Sequence, residues 1–148
     1  MHLHKNKGTF QLVYTYVLFF LALEVLQGAC KQFLADMETE AVVPKLVEEG
    51  IILRSVQKAI DDASSREEKN KLLYDDLLKY CTEDTLMTVC KVAIGTVDMK
   101  KMVELGQSLA NELKRGLFNV HWLMHALHCH CCDKRIHLFR CNSTSISS

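Results

Sequence analysis

Residues 42–78 read VVPKLVEEGIILRSVQKAIDDASSREEKNKLLYDDLL, three short helices in tight succession with a chemical cause at each boundary. Leu46 and Val47 close an apolar stripe that stops at Gly50, a residue that enters the left-handed conformation of a helix C-cap without strain. Val56 and Ile60 lie four apart and so share one face of the next helix. Ser65 and Glu68 form an S-x-x-E capping box: the hydroxyl accepts from a free first-turn amide, and the carboxylate reaches back to the cap's own N–H. Leu72, Leu73, Leu77 and Leu78 then make a stripe broad enough for two neighbours. The stretch holds no nucleophile–base pair and no metal cage. It is packing sequence with a charged exterior.

The same punctuation continues on both sides. Upstream, Leu26, Ala29, Phe33 and Met37 recur every three or four residues, an amphipathic helix with Lys31 on its outer side. Thr39 is placed to cap the next helix, and Pro44 is expected near its start, where the amide it lacks would have had no partner. Downstream, Thr82 caps a helix with Leu86, Val89, Cys90 and Ala93 inward, and Gly95 ends it. Asp98 offers a cap for the last helix, lined by Met102, Leu105, Leu109 and Leu113, and Gly116 follows Lys114 and Arg115 as its stop signal. The expectation is all-α: six helices in an antiparallel bundle of about 90 residues.

Composition agrees with helices, since glycine is low at 6 and proline nearly absent at 1. The 18 basic and 18 acidic residues balance, so nothing global points to nucleic acid. Between Gln27 and Arg115 the count is 13 Lys+Arg against 16 Asp+Glu, a net of −3 in short alternating blocks. Such blocks solvate a surface or, grouped into patches, complement a like partner.

The ends differ in kind, which divides the chain into a hydrophobic extension (1–23), the bundle (24–115) and a Cys/His-rich tail (116–148) expected to be poorly ordered. Leu12 to Leu23 form an apolar run too short on its own for a membrane span but suited to a signal-peptide core, with Lys5 and Lys7 ahead of it. Against a signal, cutting after Gly28 or Ala29 leaves Leu26 or Gln27 where a small residue is wanted, and Glu24 comes first. The tail carries His121, His125, His128, Cys129, His130, Cys131, Cys132, His137 and Cys141, zinc-compatible in type but not in spacing, so no metal ligand is assigned. Asn142, Ser143 and Thr144 form a glycosylation sequon, meaningful only on a secreted chain. Cys30, Cys81 and Cys90 read as thiols of a reducing compartment.

Six short helices in this order resemble a caspase recruitment domain, a member of the death-fold superfamily whose bundle has Greek-key topology. The residues that carry the resemblance are ACKQFLADM in the first helix, LVEEGII leading into SVQKAI, SSREEKNKLLYDDLL and MKKMVELGQSLANEL. Leu53 departs from it where a threonine cap is common, and Lys58 where an acidic residue is usual. The resemblance implies homotypic binding to other such domains on caspases, adaptors and nucleotide-dependent sensors, or to further copies of the chain, in the cytoplasm. It further implies a basic face at Lys31 and Arg66, supported by Lys69 and Lys71, and an acidic face at Glu40, Glu48, Glu49, Asp61 and Asp62. No catalytic residue, cofactor, nucleic acid or small-molecule substrate is expected, and the Q-A-C-x-G caspase signature is absent. A reading of a different class is a small secreted or membrane-tethered helical protein with a metal- or disulfide-stabilised tail. On the first reading, reversing charge at Lys31 and Arg66 together abolishes partner binding and leaves helicity and melting temperature nearly unchanged.

Overall fold

The corners between helices are set by a few short-range hydrogen bonds. The computed structural model describes residues 2–130, with side chains described for 8–127. In chain order the elements are α1 (His2–Gly28), α2 (Cys30–Asp36), α3 (Thr39–Glu48), α4 (Arg54–Asp62), α5 (Arg66–Tyr80), α6 (Glu83–Ile94) and α7 (Lys100–His130). All-α is therefore the fold class, and the described residues contain no strand.

Three boundaries follow the sequence reading closely. Gly50 has φ 74°, and its amide and that of Ile51 donate to the Val47 and Leu46 carbonyls, the paired bonds of a Schellman cap after α3. Ser65 Oγ accepts from the Glu68 amide at 3.2 Å, but the return arm slips by one residue: Glu68 Oε2 takes the amide and hydroxyl of Ser64. Thr82 caps α6 by accepting from the Thr85 amide at 3.2 Å.

Other expectations need correction. The helix holding Leu26 and Phe33 is two helices, because at Ala29 (φ −100°, ψ 8°) the chain turns and its amide is shared between the Val25 and Leu26 carbonyls. Thr39 is not a cap; it is the first residue of α3 and is buried, and Glu38 stands in the cap position, its amide donating to Met102 Sδ at 3.2 Å. Pro44 lies within α3, one turn past Glu40, where an amide would have had a carbonyl partner. Asp98 does not cap α7, whose first turn closes on the Met99 carbonyl. Most consequentially, Gly116 does not stop a helix. It sits inside α7 because α1 crosses there, and a Cβ added to it would come 2.2 Å from Leu21 Cδ1. The expected helix end at 115 is thus overridden by a helix–helix contact, and α7 runs on to His130.

The core gathers the inward stripes read from the sequence. Leu86, Val89, Cys90 and Ala93 of α6 face Met102, Leu105, Leu109 and Leu113 of α7, all buried. Phe33 packs edge-on against Tyr74 with ring centroids 5.3 Å apart, and Leu26, Leu46, Ile60, Leu73 and Leu77 close around them. Of the four leucines in α5, Leu73 and Leu77 are buried and Leu72 is exposed. Gly106 lets α7 approach α6 closely, since a Cβ there would meet the Cys90 carbonyl at 3.0 Å.

α1 also corrects the length of the apolar run. Helical geometry continues through Tyr14, Thr15 and Tyr16, so the apolar helix spans Gly8–Gly28, 21 residues of mean hydropathy 1.7, long enough by length and composition to cross a membrane. It runs antiparallel to the C-terminal half of α7: Leu21 lies against Gly116, and one helical stretch further out Tyr14 meets His121 with Oη and Nε2 2.5 Å apart.

Burial pushes the Cys81 thiol up to about 12 and the Cys90 thiol up to about 11. Both are raised above the roughly 8.5 of an unfolded cysteine, so the folded chain keeps protons that the unfolded chain releases. Their contribution is complete below about pH 8.5 and is lost as pH rises towards these values. We predict a melting temperature that falls progressively above pH 9, and a shallower alkaline decline in the Cys81→Ala/Cys90→Ala variant, read by circular dichroism from pH 7 to 10.5.

Candidate protein-interaction surface

The charged residues divide according to whether the bundle itself uses them. α5 carries Arg66, Asn70 and Tyr74 at successive spacings of four, so the three lie along one face. Each donates to a carbonyl near the C-terminal end of another helix. Arg66 Nη2 reaches the Ala35 carbonyl at 3.1 Å and that of Met37 at 3.5 Å, Asn70 Nδ2 the Leu34 carbonyl at 2.9 Å, and Tyr74 Oη the Leu26 carbonyl at 2.9 Å. Carbonyls in a last turn lack intrahelical donors; α5 supplies donors at the end of α2 and a second donor to the Leu26 carbonyl of α1, which the Ala29 amide also reaches at 3.2 Å. Asn70 is fully buried, and its Oδ1 finds no partner among the described residues. Burial, and then the neighbouring Cys30, push the Tyr74 phenol up and keep it a donor.

Two of the four residues of the expected basic face are therefore engaged within the chain. Arg66 also pairs with Glu38 at 2.7 Å. Lys69 is half-buried and pairs with Glu40 at 3.8 Å, which joins a residue of the expected basic face to one of the expected acidic face. Lys31 and Lys71 are exposed and make no ion pair with a described residue. Lys31 also lines a groove of about 960 Å³ between α1, α2 and α7, together with Glu24, Glu112 and Arg115. Arg115 forms an ion pair with Glu112 there.

The expected acidic residues are all exposed. Glu48 and Glu49 stand at the C-terminal end of α3, Asp61 and Asp62 at that of α4, and α3 and α4 pack together. Carboxylates at a helix C-terminus oppose the macrodipole, each at a cost of about 0.3–1 kcal/mol when exposed. Lys45 and Lys58 lie one turn upstream, the weaker order for a helical ion pair, and no pair forms. α4 is inverted throughout: Arg54 is in its first turn, two aspartates end it, and its N-cap, Leu53, is 69% exposed with no side-chain capping bond. Glu49 further lines a recess of about 350 Å³ with Asp76, Tyr80 and Thr85, where burial raises Asp76 against the opposing pull of Lys79.

Sequence reasoning missed Asn70, Tyr74 and Glu38. The Arg66–Asn70–Tyr74 spacing was the signal available for the first two. Of the tail residues weighed as ligands, His121 is engaged with Tyr14, while Cys131, Cys132, His137, Cys141 and the sequon at Asn142 lie outside the described residues, as do the side chains of His128, Cys129 and His130. No group of three metal-ligating side chains occurs among the described residues. Comparison of the chain with protein-family models, with curated proteins and with solved structures returns no match.

The in-chain role of Arg66 corrects the expectation that reversing its charge leaves stability untouched. Arg66→Glu is predicted to lower stability by about 1–2 kcal/mol, because it loses charged hydrogen bonds and places a carboxylate against carbonyls and Glu38. Lys31→Glu and Lys71→Glu are predicted to stay within about 0.5 kcal/mol of the parent. Urea titration of the three single variants checks this ordering.

Proposed function

We propose that this chain is a homotypic protein-interaction module of the caspase recruitment class, a six-helix Greek-key death fold that acts without catalysis in apoptotic or inflammatory signalling. On this reading the last turns of α1 with α2 form the first helix of the bundle, α3 to α6 the next four, and the first half of α7 the sixth. Its partners are other caspase recruitment domains, on caspases, adaptors or sensors, or further copies of itself, and its place of action is the cytoplasm.

The observation that carries the reading is the set of charges the bundle does not use. Glu48, Glu49, Asp61 and Asp62 oppose the dipoles of two packed helices and form no ion pair with a described residue, while Lys31 and Lys71 on α2 and α5 are exposed and likewise unpaired. Stability does not account for the acidic set, since each position would be better filled by a neutral or basic residue. An interface does account for it. Opposed patches steer encounter and fix orientation, and several pairs of about 0–1 kcal/mol each act together.

Two variants separate the faces. Lys31→Glu/Lys71→Glu reverses the basic side, and Asp61→Lys/Asp62→Lys the acidic side. Each alone is expected to lose self-association and capture by purified caspase recruitment domains, at unchanged helicity, and a mixture of the two is expected to regain association because reversed faces again meet opposite charge. Light scattering and pull-down that find both variants indistinguishable from the parent would sink the proposal.

A further inference from the structure

The outer parts of α1 and α7 form a paired stalk that exposes many large apolar side chains beside Gln11, Thr15, Asn119, His121 and His125, and its chemistry identifies what covers it. On α1, Leu12, Val13, Tyr16, Phe19 and Phe20 are 38–60% exposed, and at about 100° per residue they fall within an arc of about 120°. The opposite side of α1, through Val17, Leu18 and Leu21, turns inward and is equally apolar. A helix apolar on two opposite sides, with only Gln11 and Thr15 on a flank between them, belongs in a core or at lipid. Yet only 11% of the most apolar stretch in Gly8–Gly28 is buried, and no further layer of the described chain covers it. α7 adds Phe118, Trp122, Leu123 and Leu127, exposed at 72, 36, 49 and 43%, along the same stalk.

The bundle decides how such a stalk can meet a membrane. Ala22 and Leu26 are fully buried and Val25 nearly so, and the Leu26 carbonyl is held by Tyr74, so the last two turns of α1 belong to the folded core. What remains of the apolar stretch, residues 8–21, is about 21 Å of helix, short of the roughly 30 Å hydrocarbon thickness. A crossing would require the bundle to open. A helix lying in the plane of one leaflet needs no such opening: the exposed stripe enters the acyl boundary, and in the sequence the basic residues Lys5 and Lys7 precede that stripe, a charge order that favours anionic lipid. The only acidic residue of Gly8–Gly28 is Glu24, at the bundle end.

We propose that the α1–α7 stalk docks in-plane on an anionic lipid surface and so brings the bundle to a membrane without spanning it. This does not depend on the homotypic reading and would stand if that reading failed. The probe is flotation of the full chain with vesicles of phosphatidylcholine and phosphatidylserine (7:3). The parent is expected to float with the vesicles, and Leu12→Asp/Leu123→Asp to lose at least tenfold of that binding while keeping the helicity and melting temperature of the parent, since both positions are exposed. If that variant misfolds, Phe20→Ser/Phe118→Ser gives the same comparison with a milder change. A parent chain that stays with the soluble fraction overturns the proposal. So does a lipid-independent dimer that the same substitutions dissociate, which would assign the stripe to a second copy. Recovery from cells of a chain cleaved after α1 also overturns it, and would make the helix a signal sequence.

Discussion

Three donors on one face of α5 hold the molecule's hardest corner. α1 and α2 end in quick succession, and two helix ends so close together leave several carbonyls without intrahelical donors in a region that also houses Phe33, Met37 and Leu26. The bond to the Leu26 carbonyl is buried, that to Leu34 part-buried and that to Ala35 exposed. Arg66, Asn70 and Tyr74 answer the carbonyls of Ala35, Leu34 and Leu26 in register, because a spacing of four on α5 matches the path of the chain through the turn at Ala29. The break between α1 and α2 and the polar stripe on α5 therefore meet at one corner. Without Asn70 the end of α2 would lose the donor to the part-buried Leu34 carbonyl, at about 1–3 kcal/mol, while at the break Tyr74 adds a second donor to a Leu26 carbonyl that the Ala29 amide already reaches.

That constraint sorts the surface charge. Arg66 and Lys69 belong to the corner, held to Glu38 and Glu40. The acidic ends of α3 and α4 form no ion pair with a described residue, and neither do Lys31 and Lys71. A protein under selection for stability alone would not end two packed helices in Glu-Glu and Asp-Asp, or begin α4 with an exposed leucine. Local rules broken without an internal return are where function is expected to lie.

The helical class and most of the core were legible in the sequence, for identifiable reasons. Gly50, Ser65 and Thr82 act through bonds only a few residues long, and the stripes of α6 and α7 obey the 3.6-residue period that buries them. What was not legible depends on distant partners. Gly116 carries every mark of a helix stop, with two cations before it, yet it is a glycine because Leu21 of α1 lies against it. Thr39 looked like a cap but is buried, and Glu38 takes its place with Met102 sulfur as the amide's partner, a contact across 64 residues of chain. Among the candidate site residues, the positions at exposed helix ends could be read from order alone. That Arg66 and Lys69 are engaged by partners within the chain could not, since Ala35 and Glu40 become their neighbours only in the folded chain.

The α5 corner also ties the bundle to the stalk, for Tyr74 grips α1 near the point where it leaves the core. α1, α2 and α5 should then open as one unit while the outer turns of α1 and α7 move separately. Residue-resolved native-state hydrogen exchange measures this most directly. The account predicts that amides from Phe33 to Met37 in α2 exchange at the same opening free energy, and with the same denaturant dependence, as those from Leu73 to Leu77 in α5. Exchange from α2 at a distinctly lower free energy, with a shallow denaturant dependence of its own, would show that α2 opens without α5 and would contradict it.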